Sequence, residues 1–155
     1  MALEEQVVEK LIKNDYRISF AESCTGGLCC GNLVNVTNAS QVLDMSFVTY
    51  ANEAKISLLG VSADTILSHG VVSEEVAYEM AQGVAKVANC QVGVGVTGVA
   101  GPGGGTAKKP VGMVCFGFCI NGEVKTFTEQ FGEIGRNQVR KSSVEFVFKK
   151  LLELI

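Results

Sequence analysis

Four stretches of this 155-residue chain bring together residue types that can do chemistry. In Glu22-Ser23-Cys24-Thr25-Gly26-Gly27 a hydroxyl stands where a strand-like run turns into a helix-like one. Free backbone N–H groups at a helix start, aided by the helix dipole, can hold an anion or a developing oxyanion. The paired glycines let a ligand approach the main chain. The same pattern also suits a plain helix cap by Ser23 or Thr25.

The second stretch is Tyr50-Ala51-Asn52-Glu53-Ala54-Lys55. An ordinary lysine, with a pKa near about 10.4, stays protonated at neutral pH and cannot act as a base. Desolvation against Ile56 and Leu59 would lower that value, and a nearby tyrosine hydroxyl could relay the proton. A solvated lysine on an amphipathic helix is the commoner use of the pattern.

The third is Thr97-Gly98-Val99-Ala100-Gly101-Pro102-Gly103-Gly104-Gly105-Thr106, dense enough in glycine to cradle a phosphate or sugar or to form a mobile surface loop. Gly93, Gly95 and Gly98 spell Gly-x-Gly-x-x-Gly, but within a strand pattern and with no acid about 20 residues on, so the dinucleotide fingerprint is rejected. No Gly-Lys-Ser/Thr follows, which excludes a P-loop. The fourth pair, Arg136 and Arg140, sits one helical turn apart, and arginine suits phosphate or carboxylate recognition, although a solvated helix face explains the spacing too.

Other chemistries fit poorly. His69 is the only histidine and has no acid placed beside it, so a Ser-His-Asp triad is not expected; it reads as a turn or core residue. The six cysteines (24, 29, 30, 90, 115, 119) form no Cys-x-x-Cys pair, which argues against a metal site and leaves them as small apolar fillers. A thiol or redox protein gains little support, since only Cys24 lies near a candidate site, where it could confer sensitivity to thiol reagents. Thirteen Lys+Arg against 16 Asp+Glu give a net charge of −3 with no basic stripe, against nucleic-acid binding. No apolar run is long enough to span a membrane, and Met1-Ala2-Leu3-Glu4-Glu5 lacks a signal-peptide layout, so a cytoplasmic protein with reduced thiols is expected.

The elements that must position these residues follow from periodicity. Helices are predicted over 3–13, 28–36, 53–59 (capped by Asn52), 74–88 (capped by Ser73) and 136–154. Strands are predicted over 17–21, 46–50 and 91–97, and a hairpin over 111–131 turns at Asn121-Gly122. With 47% hydrophobic residues the chain can bury one core, and a single domain over 1–155 is expected. The order of elements predicts an α/β fold, a three-layer α/β/α sandwich with a mixed, mostly parallel central sheet. Sites in such sheets lie beyond the carboxyl ends of the strands, where the turns after Ala21, Tyr50 and Thr97 compete for the position.

Taken together, the segments at 21–27 (Ala-Glu-Ser-Cys-Thr-Gly-Gly), 48–55 (Val-Thr-Tyr-Ala-Asn-Glu-Ala-Lys), 69–77, 97–104 and 109–112 (Lys-Pro-Val-Gly) resemble the CinA C-terminal domain family in content and order. The resemblance covers nearly the whole chain. It implies an α/β/α fold, usually a homo-oligomer, and no metal or cofactor. Stand-alone members of the family are nicotinamide-nucleotide amidases, which convert nicotinamide mononucleotide to nicotinate mononucleotide and ammonia. Carried over by residue, Ser23 resembles the nucleophile, Lys55 the base and Tyr50 a helper hydroxyl between them.

The binding set expected for the nucleotide is Thr25, Gly26, Gly27, Asn52, Thr97, Gly98, Gly101, Gly103, Gly104, Thr106, Arg136 and Arg140, with the glycine loop, Thr106 and Arg140 on the ribose phosphate. The chain departs from the family at Ile134-Gly135-Arg136, where glycine replaces the acid of the usual Gly-Asp-Arg. The larger nucleotide-hydrolase domain of longer relatives is not in this sequence, so pyrophosphatase activity is not expected. The other reading, from a different class, is a catalytically silent nucleotide-binding module, a competence- or damage-related accessory protein.

Overall fold

The alternation of small and β-branched residues in Val92-Gly-Val-Gly-Val-Thr-Gly98 sets the architecture of the whole chain. In a strand successive side chains point to opposite faces, so Val92, Val94 and Val96 fill one side of the sheet and glycines leave the other bare. The helix over the bare side lies very close. A Cβ added to Gly93 would stand 2.3 Å from the Ala81 carbonyl oxygen, and one added to Gly95 2.7 Å from that of Ala77. Gly117 on the neighbouring strand is just as tight, at 2.2 Å from the Ala77 oxygen. Gly93 and Gly95 of the Gly-x-Gly-x-x-Gly spacing are thus a helix–sheet packing device, while Gly98 makes room for Val114 of the neighbouring strand.

The structure, a computed structural model, describes residues 1–155. In chain order the elements are α1 (Leu3–Asn14), β1 (Ile18–Glu22), α2 (Leu28–Leu33), β2 (Phe47–Val48), α3 (Asn52–Leu59), α4 (Ala63–His69), α5 (Glu74–Val87), β3 (Val92–Gly98), β4 (Met113–Ile120), β5 (Glu123–Gln130) and α6 (Arg136–Leu154). The strands form one sheet in the order β2-β1-β3-β4-β5. β1 pairs in parallel with β2 and β3, while β3–β4 and β4–β5 are antiparallel, so the sheet is mixed as expected. Helices α1, α2 and α6 cover the valine face, burying Val7, Leu11, Phe20, Phe116, Phe118 and Phe148 together. Helix α5 covers the glycine face with Val76, Ala77, Met80, Ala81, Val84 and Ala85 buried. The result is the three-layer α/β/α sandwich.

Local chemistry fixes most boundaries. The Ser73 hydroxyl accepts from the Val76 N–H and starts α5, with Glu74 and Glu75 at the positive end of its dipole. Asn121 (φ 50°) and Gly122 (φ 86°) take the left-handed conformation that a two-residue hairpin turn needs. Helix α6 spans the expected residues. The largest departures lie between β1 and α5. There α2 stops at Leu33, β2 shrinks to two residues, and α3 starts at Asn52, whose side chain makes no capping bond. Helix α4 was not expected, and the reason is physical: none of its residues is buried, so it leaves no apolar period to read. No helix is long and apolar enough to cross a membrane.

Three features of this frame aim at one rim. Because β1, β2 and β3 are parallel, their carboxyl ends emerge side by side. The turn after Glu22, the turn after Val48 and the loop after Gly98 therefore meet. Helix α3 is seated by Gly83 of α5, where a Cβ would lie 1.9 Å from the Leu59 carbonyl oxygen. That contact fixes the height of α3 and with it the place of Lys55.

Candidate active site

Ser23 follows the last residue of β1 and is still tied to the sheet, its N–H donating to the Val96 carbonyl at 3.0 Å. Beyond it the chain makes a four-residue turn before α2 begins. Lys55, one turn into α3, is only 1% exposed. Its Nζ donates to Ser23 Oγ at 3.1 Å, to the Thr49 carbonyl at 2.8 Å and to the Tyr50 carbonyl at 3.1 Å. No carboxylate bonds to it. Burial pushes the Lys55 ammonium below the ordinary lysine range, against a weaker opposing pull from Cys24.

A count of donors gives this geometry its chemical meaning. An ammonium offers three N–H groups, a neutral amine two N–H groups and one lone pair. Carbonyl oxygens can only accept. In the neutral state the two N–H groups stay on Thr49 and Tyr50, and the lone pair is left facing Ser23, whose hydroxyl must then be the donor. The protein thereby orients the lysine as a base toward one oxygen.

Ser23 opens onto a cavity of about 300 Å³, lined also by Cys24, Tyr50, Val72, Gly98, Gly101 and Arg136. Gly103 and Gly104 lie on the same wall. Lys55 sits behind Ser23, out of the cavity. The Arg136 guanidinium donates to the Gly101 carbonyl at 2.9 Å and to the Tyr50 hydroxyl at 3.0 Å, bridging the glycine loop to the β2–α3 turn. Both acceptors are neutral. With glycine at 135, no acid beside Arg136 neutralises it.

These contacts place several of the expected residues in other bonds or away from the cavity. Tyr50 is 62% exposed, and its hydroxyl is held by Arg136. It is the main-chain oxygen of Tyr50 that meets Lys55, and Ser23 and Lys55 touch directly, so no relay hydroxyl stands between them. Thr97 is buried beneath the rim, its Oγ1 donating to the Val71 carbonyl at 2.9 Å; it holds the Val71–Val72 wall and does not line the cavity. Thr106 is exposed and closes a turn with Lys109, and Asn52 is exposed on the first turn of α3; neither lines the cavity.

Arg140 is absent from the cavity as well. It donates to the Cys24 carbonyl through Nε and to the Thr25 carbonyl through Nη2, both at 3.0 Å. Its other surroundings are a separate groove of about 700 Å³ between α1, α2 and α6. Thr25 is fully buried with Oγ1 unbonded, while Gly26 (φ 56°) and Gly27 (φ 103°) shape the turn beside it, outside the cavity lining.

The expected oxyanion donors also shift. At the start of α2, the Cys29 and Cys30 N–H groups donate to Glu22 Oε1 (2.9 Å) and Oε2 (3.1 Å) and are unavailable. The N–H groups of Cys24, Thr25 and Gly27, in the turn itself, make no bond within the protein. Cys24 is 6% exposed and burial raises its thiol to about 12, so it stays protonated and unreactive. His69 ends α4 at the surface, its Nδ1 3.3 Å from a Glu75 carboxylate oxygen, which gives it the partner the sequence did not reveal. Sequence reasoning missed the apolar wall of Val71, Val72 and Val99 and the two carbonyls that hold Lys55. The wall follows the His69-Gly70 turn and could have been sought there; main-chain acceptors leave no trace in residue identity.

The fold and site together define a class: a three-layer α/β/α domain that places a buried lysine against a serine at the carboxyl rim of a mixed sheet. The chain belongs to the CinA C-terminal domain family, whose profile matches residues 1–155. It is 46% identical over 156 residues to a putative competence-damage inducible protein of Clostridium acetobutylicum, covering 99% of this chain and 38% of that protein. A CinA-like protein of Kosmotoga olearia is 45% identical, with the same two coverages of 99% and 38%. The chain thus spans a little over a third of the length of these relatives. Among solved structures, the competence/damage inducible protein CihA of Agrobacterium tumefaciens superposes with a TM-score of 0.92 at 38% identity, covering 99% of this chain and 96% of that one. A CinA superfamily protein from Escherichia coli gives 0.95 at 33% identity, covering 99% and 88%.

Proposed function

We propose that this chain is an amidohydrolase that converts nicotinamide mononucleotide to nicotinate mononucleotide and ammonia. The observation that carries the reading is the 3.1 Å contact between Lys55 Nζ and Ser23 Oγ, with both remaining lysine bonds fixed on carbonyls. Ser23 Oγ attacks the carboxamide carbon while its proton passes to Lys55. The unbonded N–H of Cys24, the turn residue on the cavity wall, receives the developing oxyanion. Lys55 then returns the proton to the departing nitrogen, ammonia leaves, and water, deprotonated by Lys55, attacks the acyl-enzyme and frees Ser23. Protons and atoms balance using the serine, the lysine and water alone.

The surroundings suit such a substrate. Val71, Val72 and Val99 offer an apolar wall for a pyridine ring. Arg136, bonded only to neutral oxygens, gains most from an anion and takes the phosphate role first expected of Arg140 and Thr106. Holding the remote phosphate aligns the carboxamide for attack.

Ammonia release from nicotinamide mononucleotide, compared for the natural protein, Ser23→Ala and Lys55→Ala, tests the reading. Each substitution is expected to lower turnover by at least about 100-fold. Full activity in both variants refutes the assigned roles. Tight nucleotide binding without ammonia release by the natural protein would instead mark a non-catalytic nucleotide-binding module.

A further inference from the structure

Between Ser23 and α2 the main-chain groups without a partner are the N–H donors of Cys24, Thr25 and Gly27 and the Gly26 carbonyl. The Gly26 N–H returns to the Ser23 carbonyl at 3.0 Å and the Leu28 N–H to the Thr25 carbonyl at 3.0 Å. What holds the outer side of this turn is one side chain from the other end of the sequence, Arg140 of α6. Its two bonds fall on the carbonyls of consecutive residues, Cys24 and Thr25.

A peptide unit is planar and trans, so its C=O and N–H point in opposite directions. With the Cys24 carbonyl drawn to Arg140, the Thr25 N–H of the same unit is directed away from α6. Gly26 makes room for the clamp: a Cβ there would stand 3.3 Å from Arg140 Nη2, and its φ of 56° disfavours any side chain. Arg140 does not line the Ser23 cavity, so direct substrate contact does not explain it.

We propose that Arg140 is a positioning residue that, by holding the Cys24 and Thr25 carbonyls, fixes the turn so that the unbonded N–H of Cys24, the turn residue on the cavity wall, faces the oxyanion formed at Ser23. This rests on the serine-hydrolase reading above. A planar guanidinium holds two adjacent carbonyls through two separate nitrogens in one fixed orientation, a more rigid grip than the single nitrogen of a lysine gives. Loss of the clamp lets the turn relax and misaligns that donor in the transition state, leaving ground-state binding untouched.

The test combines two readouts on Arg140→Met and Arg140→Lys. Steady-state kinetics with nicotinamide mononucleotide should show kcat down by about 10²–10³-fold in Arg140→Met, the usual consequence of losing one oxyanion donor, with KM within about twofold. Labelling of Ser23 by a fluorophosphonate, which needs the nucleophile and oxyanion donors but no nucleotide, should slow comparably. Arg140→Lys should fall between the natural protein and Arg140→Met, as one nitrogen on a flexible stem fixes the two carbonyls less rigidly than the planar fork. A purely structural role would lower melting temperature and yield yet leave kcat of the folded fraction unchanged, and that outcome overturns the proposal. If Arg140→Met does not fold, Arg140→Lys decides on the same two readouts. If the natural protein labels at Ser23 but releases no ammonia, the amidase reading fails while labelling of the variants still judges the clamp. Absence of labelling in the natural protein refutes both.

Discussion

Glu22 and Ser23 are neighbours in sequence, yet their side chains serve opposite layers of the sandwich. The Glu22 carboxylate is buried toward α2, where it accepts from the Cys29 and Cys30 N–H groups, while Ser23 meets Lys55 from α3. The alternation of side chains along a strand imposes this separation. It keeps the nearest acid from pairing with Lys55, and such a pair would stabilise the ammonium and cancel its use as a base.

Activity should therefore rise with pH along a single limb as Lys55 loses its proton. Burial sets the direction: the limb lies below the ordinary lysine pKa of about 10.4. In Lys55→Met any residual ammonia release should lose that limb. A wild-type profile that is flat from mildly acidic to alkaline pH would remove lysine from the mechanism.

Stability should carry the same signature. A lysine whose pKa is lowered on folding binds its proton more weakly in the native than in the unfolded chain. Below the native pKa the protonation penalty is fully felt, and above about 10.4 both states are neutral and it vanishes. Denaturant unfolding of the natural protein and Lys55→Met across that window should show the natural protein gaining on the variant as pH rises. A constant difference would mean that Lys55 is not desolvated.

Arg136→Met removes the only guanidinium on the cavity wall, one that bonds neither Ser23 nor Lys55. Its expected effect is a KM for the nucleotide raised by about 10–100-fold, as for losing a charge-assisted bond of roughly 1.5–3 kcal/mol. Turnover should fall far less. Titration of inorganic phosphate as a competitive inhibitor checks the assignment, since the variant should lose most of that inhibition.

Cys24, although beside the nucleophile, should resist alkylation by iodoacetamide in the folded protein, because its thiol is held near 12 and covered. Cys30 is more open, and peptide mass mapping should find it modified first. Rapid labelling of Cys24 without denaturant would contradict the packing of the turn and restore the thiol sensitivity expected from sequence.

Two glycine substitutions should move stability in opposite directions. In Gly117→Ala the new Cβ would meet the Ala77 carbonyl oxygen at 2.2 Å, and that neighbour is backbone that cannot swing aside. The cost is expected at the upper end of about 1–3 kcal/mol for overpacking. Gly31 in α2 has open space around its Cβ position, so Gly31→Ala should gain up to about 1 kcal/mol from helix propensity. At roughly 2–4 °C per kcal/mol for a chain of this size, thermal melts distinguish the two.

The chain's residues alone determined the layers, the hairpin and the long helices. Strict periods such as Val76 to Ala85 in α5, the Ser73 cap and the Asn121-Gly122 turn are local codes that burial merely reinforces. Ser23 and Lys55 were legible too, because a hydroxyl in a strand-to-helix turn and a lysine among apolar neighbours suggest chemistry before any contact is known. Only the tertiary structure decided how the partners are shared. It gave the Tyr50 hydroxyl to Arg136, the Tyr50 carbonyl to Lys55, the helix-start donors to Glu22 and the outer side of the turn to Arg140. Those choices rest on main-chain atoms and on residues more than 80 positions apart in the chain for Tyr50–Arg136 and more than 110 for Cys24–Arg140. Every residue carries the same carbonyl and, proline apart, the same N–H, so identity and spacing cannot encode which of them a folded chain leaves free.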